Sequence, residues 1–154
     1  ENVERVGRRV EEAAGYLKHS IVFLVTNDTR IFALACWPNI VVISTGTYRK
    51  FRNEDELAVI LGHEVGHIVI GREQGLRATT PEEHHAVELL ADQRAVEFVK
   101  MAGYDPNAAA RCYGRLQTYL LRMGLDINAD DSSSTHPTLP RRIQAIDQLL
   151  ESYS

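Results

Sequence analysis

The chain has 154 residues, enough for one compact domain with a core and too few for two ordinary ones. Its 44% hydrophobic and 25% charged residues describe a soluble globular protein, and a net charge of −4 offers no basic field to attract nucleic acid. No apolar run approaches the roughly 18 residues a membrane span needs, and two cysteines, Cys36 and Cys112, make no disulfide framework.

The chain begins at Glu1 rather than Met, which reads as a processed or trimmed fragment. Val3, Val6, Val10, Ala13, Ala14 and Leu17 recur at helical spacing, so residues 1–18 are predicted to form an amphipathic helix. Three β-rich stretches follow at 21–26, 31–36 and 40–45. Asn27-Asp28 and Trp37-Pro38-Asn39 mark the turns, so a small three-stranded sheet with a hairpin across Pro38 is expected.

The next helix has a strong start. Asn53 suits the N-cap, Glu56 stands three residues on, and Glu54 and Asp55 complement the positive helix end. It is predicted to run to about Ile70 and stop at Gly71. Thr80 followed by Pro81 opens another helix, reaching about Met101 before Gly103. Asp105-Pro106 opens a third, ending near Gly124, and residues 125–135 read as a flexible polar loop. A last helix is expected from about Thr138 to Leu150. The order gives one α+β domain over 1–154: helix, three strands, then four helices.

Within the well-capped helix lies His63-Glu64-Val65-Gly66-His67, the HExxH pattern. Positions four apart share a helix face, so both imidazoles can chelate one ion while Glu64 sits beside it as a base. With this chain's His and Glu content the pattern arises by chance about 2% of the time, so the surroundings carry the weight. Leu57, Ile60, Leu61, Val65 and Ile68 supply the apolar side. Gly62 and Gly66 each cost roughly 1 kcal/mol inside a helix, a sign that something must approach there. Catalytic zinc takes three protein ligands, and Glu88 on the following helix is the candidate third. Asp92, one turn on, can fix the tautomer of a ligating histidine. His84 and His85 lie one turn before Glu88 and offer an all-histidine alternative.

These segments together resemble the M48 family of gluzincin metallopeptidases. The HExxH helix is followed by Glu88-Leu89-Leu90-Ala91-Asp92, matching the family's ExxxD, and by Ala102-Gly103-Tyr104-Asp105-Pro106. Ser134-Thr135-His136-Pro137 with Arg142 and Ile143 matches its C-terminal S-T-H-P and R-I, and residues 40–46 resemble the strand and Thr-Gly turn before the active-site helix. The resemblance runs from about residue 21 to the end. It implies a zincin-like fold and a zinc-dependent endopeptidase binding one Zn2+ through His63, His67 and Glu88. Glu64 would be the general base, Asp92 an outer partner of the ligands, His136 the oxyanion donor, and Arg142 a brace or assistant in the cleft. It implies protein or peptide substrates, and a cell-envelope, periplasmic or membrane-associated setting. The rival function is a latent or inactive zinc-binding chaperone module with an occluded cleft. The chain departs from the family at Arg30-Ile31-Phe32 and Cys36-Trp37-Pro38-Asn39, where an Asn-Ala-Phe and a Pro-Gly-Gly turn are usual. That stretch borders the substrate edge in related enzymes.

Overall fold

The computed structural model describes residues 1–51, 53–75, 78–128 and 137–154. Helix α1 (Asn2–Ala13) precedes strands β1 (Val22–Thr26), β2 (Ala33–Cys36) and β3 (Ile40–Ser44). Helices α2 (Thr45–Lys50), α3 (Glu54–Gln74), α4 (Pro81–Met101), α5 (Ala108–Arg122) and α6 (Leu139–Glu151) follow. The protein is α+β, with a small three-stranded sheet and six helices among the described residues.

Strand β3 is central in the order β1-β3-β2, as its unbroken Ile40-Val41-Val42-Ile43 run suits a strand flanked on both sides. It pairs parallel with β1, Val22 opposite Ile40, and antiparallel with β2, Ala33 opposite Ile43. The expected hairpin across Pro38 forms, with a cis Trp37-Pro38 bond. Strand β2 is thereby an edge, and α3 lies along it as well as against β3. Val41 and Ile43 point inward onto Leu57, Leu61, Val65 and Ile68 of α3, which sits at the centre of the core.

The structure corrects several expected boundaries. The first helix ends at Ala13 rather than near residue 18, because Gly15 turns the chain at φ 80° and the chain folds back. Glu11 holds that return. Its buried carboxylate accepts from the backbone N–H of His19 at 3.2 Å and of Ile21 at 2.6 Å, and pairs with Arg8 at 2.9 Å. The Thr45-Gly46 segment is not merely a turn. Ser44 caps a short helix by accepting from the Thr47 N–H at 3.0 Å, which adds α2 to the predicted set.

Asn53 caps α3 by accepting from Asp55 N–H at 2.9 Å and Glu56 N–H at 3.3 Å. That helix runs past Gly71. Gly71 leaves room for the Trp37 ring, whose Cζ3 would lie 3.1 Å from an added β-carbon, and the left-handed cap is Gly75 at φ 61°. A capping box between Thr80 and Glu83, with Pro81 in the first turn, starts α4. Of the predicted 125–135 loop, residues 125–128 form a turn in which Asn128 N–H donates to Asp126 at 2.9 Å. The remainder lies outside the described residues.

Candidate metal centre

Helices α3 and α4 pack against each other, and the site is a consequence of how closely they do so. Gly62 and Gly66 face Ala95 and Ala91. An added β-carbon on Gly62 would lie 3.2 Å from Ala95 Cα, and one on Gly66 would lie 3.2 Å from the Ala91 carbonyl oxygen. Two glycines against two alanines bring the backbones together at the level where His63 and His67 meet Glu88. Gly66→Val would drive its methyl groups into α4. It is expected to lower stability by about 1–3 kcal/mol and to weaken metal binding by separating Glu88 from the histidines. Thermal unfolding and a competitive zinc titration check both effects.

At that level three ligand atoms converge. His67 Nε2 lies 3.0 Å from Glu88 Oε1, His63 Nε2 lies 3.4 Å from Glu88 Oε2, and the two Nε2 atoms are 3.1 Å apart. The three atoms of His63, His67 and Glu88 all fall within 4.8 Å of one another, and among the described residues this is the one such cluster. His84 and His85 are half-buried on α4 and stand outside it. Glu64 is nearly buried and lines the same cleft from α3.

The outer nitrogen of His63 is tied down. Asp92, one turn after Glu88, lies 2.8 Å from His63 Nδ1. With Nδ1 donating to that carboxylate, loss of the second proton to a bound cation would leave the Nε2 lone pair facing His67 and Glu88. Asp92 is held in turn by the guanidinium of Arg142, whose Nε donates to Oδ2 at 2.8 Å and Nη2 to Oδ1 at 2.7 Å. The Tyr113 hydroxyl also donates to Asp92 Oδ1, and accepts from Arg142 at 2.8 Å. Arg142 therefore braces Asp92 from the wall of the cleft and stands 3.7 Å from Glu88.

The electrostatics suit a cation. Burial opposes a charged His63, but its hydrogen bonds to Asp92 and Glu88 and the charge of Glu64 outweigh it and push its pKa up to about 9. Burial likewise raises the Asp92 carboxyl, yet Arg142 and His63 hold it at about 2, below the usual range. Two imidazole nitrogens and a carboxylate crowded at 3.0–3.4 Å favour a positive charge between them. The donor set of two nitrogens and one carboxylate oxygen is that of a catalytic zinc with a position left open.

Tyr113 went unread in the sequence, where its signal was its place on the inward stripe of α5 with Ala109, Cys112, Leu116 and Leu120. Burial holds its phenol well above the ordinary tyrosine value, although the charge of Arg142 opposes this, so it stays a hydroxyl donor. His136 lies outside the described residues. The site opens into a cleft of about 960 Å³, bounded on one side by β2 and the residues before it, Ile31 and Phe32. None of the described helices is long and apolar enough to cross a membrane.

Comparison with known proteins gives two overlapping matches. Residues 1–74 match the model of peptidase family M48, and residues 56–153 match that of peptidase U49. The overlap, 56–74, holds His63, Glu64 and His67. The chain is also similar to the mitochondrial metalloendopeptidase OMA1 of Arabidopsis thaliana, at 25% identity over 81% of the chain. It spans 30% of that relative's length, and the mitochondrial setting is the relative's own.

Proposed function

Because the chain belongs to peptidase family M48, a family of zinc metallopeptidases, we propose that it is an endopeptidase whose single zinc is held by His63, His67 and Glu88. The observation that carries this reading is the convergence of those three ligand atoms beside Glu64 on the floor of an open cleft. A zinc ion held there supplies Lewis acidity and lowers the pKa of water towards about 7.

The chain's own residues do the rest. Asp92 keeps the Nδ1 proton of His63 in place, so that Nε2 stays a ligand. Arg142 and Tyr113 keep Asp92 ionised and oriented. A carboxylate oxygen of Glu64 takes the proton of the attacking water and later gives it to the leaving amine. His136 is the candidate donor to the negative charge that develops on the former carbonyl oxygen, a role typically worth about 2.7–4 kcal/mol. An extended peptide adds to the open edge of β2, which supplies backbone hydrogen bonds without reading side chains.

Stripping the protein with a strong chelator is expected to abolish hydrolysis of a casein-type substrate. One equivalent of zinc per chain should restore it, and magnesium should not, since nitrogen ligands select against that ion. Hydrolysis that survives complete metal removal would refute the assignment.

A further inference from the structure

The face of α3 that carries the candidate ligands does not end at His67. Gly71 follows His67 by four residues, as His67 follows His63, so it continues the same stripe one turn on, about 6 Å further along the axis. Trp37 lies across that position. Its Cζ3 and Cε3 would stand 3.1 and 3.2 Å from a β-carbon added to Gly71. Only that edge of the indole is seated on α3, and the residue stays 63% exposed. A large aromatic surface is thus held in place and left open to water one helical turn from the metal centre.

The hydrogen bonds of β2 lead to the same place. The Ser44 N–H donates to the Phe32 carbonyl at 3.1 Å, and Leu34 and Cys36 face Val42 and Ile40 in the same register. In an antiparallel ladder successive residues turn their N–H and C=O to opposite sides. Phe32, Leu34 and Cys36 therefore serve β3, while Ala33 and Ala35 turn theirs to the open edge that lines the cleft. A peptide paired with Ala33 and Ala35 is carried on towards Trp37, two residues or about 7 Å beyond Ala35. Antiparallel pairing, the more stable sense, puts the peptide's amino-terminal residues at that end. Arg72 adjoins Gly71, and Lys18 is two residues from the Ser20 carbonyl that accepts from Asn39 Nδ2 at 2.8 Å. Glu73 is drawn off to Arg94 at 3.2 Å, so these surroundings favour a neutral ring over a cation on the indole.

We propose that Trp37 is a specificity residue, stacking on an aromatic side chain two or three residues to the amino-terminal side of the scissile bond. The inference rests on the hydrolytic reading for the course of the substrate. It adds what edge-strand pairing cannot give, a selection by side chain at a distance from the metal. Two rings gain from the apolar area they withdraw from water and from their mutual attraction in offset or edge-to-face contact. Because the indole is already seated on Gly71, little freedom is lost when its open surface is covered.

The test uses the zinc-loaded chain and acetylated tripeptides ending in a hydroxamate, which anchors their carboxyl end at the metal. One phenylalanine is walked through the three positions, with alanine elsewhere, and the all-alanine compound is the reference. Trp37 is the chain's single tryptophan, so its fluorescence reports its own burial. Calorimetry gives the affinities, and neither readout depends on turnover. Phenylalanine second or third from the hydroxamate is expected to bind about tenfold more tightly than alanine there, with a blue shift of the Trp37 emission. Trp37→Ala should erase that preference and Trp37→Phe should keep most of it, with folding checked by circular dichroism. Failure of every compound to bind, equal binding of the phenylalanine and alanine compounds, or a preference that survives Trp37→Ala would overturn the subsite. If casein is hydrolysed while the series binds alike, the subsite falls and the hydrolytic reading stands. If the series is discriminated while no peptide is hydrolysed, the subsite stands and the hydrolytic reading falls.

Discussion

Glu64→Gln is expected to reduce kcat/KM on a quenched peptide by about 10²–10⁴ while leaving one zinc per chain. Glutamine preserves the volume and the hydrogen-bonding reach of glutamate but cannot accept the proton of the attacking water. The three proposed ligands are His63, His67 and Glu88, so the substitution would remove a charge beside the metal without removing a ligand. Glu64 is 8% exposed and lines the cleft, where an uncharged amide is readily accommodated. KM should change far less than kcat, because the base acts only as charge moves in the transition state. Equal and nonzero hydrolysis by the two proteins would exclude Glu64 as the base. Loss of zinc from the variant would instead make Glu64 part of the metal's coordination.

The elements of the site that the sequence makes legible are those set by local spacing. His63 and His67 stand four apart on a helix, Glu88 and Asp92 stand four apart on the next, and Asn53 and Thr80 mark where the two helices start. Gly62 and Gly66 point to a close approach, and α4 is what approaches. What spacing cannot show is which glycine ends a helix when two are present. Gly71 makes room for Trp37 from a distant hairpin, so Gly75 is left as the cap. Nor can it show α2, a single capped turn and a half whose six residues lack any apolar period. Tyr113 is 21 residues from Asp92, and Arg142 is 50. Their joint grip on that carboxylate follows from how α5 and α6 pack, and no local pattern encodes it.

Arg142→Met should be the most damaging single change away from the ligands. Asp92 is 2% exposed, and its ionised form survives burial because Arg142 donates to both oxygens in a planar fork and His63 donates beside it. Methionine fills much of the volume but leaves the carboxylate with too little positive charge, and breaking a buried pair in this way costs about 3–5 kcal/mol. The pH dependence carries a sign. In the wild type the Asp92 pKa lies at about 2, below its unfolded value, so the pair's contribution is complete above the unfolded pKa and is lost as pH falls through about 2. In the variant burial raises that pKa, so an ionised Asp92 destabilises the fold at neutral pH and protonation relieves it. The stability gap between the two proteins, read from urea unfolding midpoints, is therefore widest near pH 7 and narrows on acidification. A constant or widening gap would mean that Arg142 acts through packing rather than through Asp92. Zinc affinity should fall by about 10–100-fold, since an unbraced Asp92 no longer fixes the His63 ring. Arg142→Lys tests the geometry separately. It restores the charge but not the fork, so it should recover part of the stability and little of the zinc affinity.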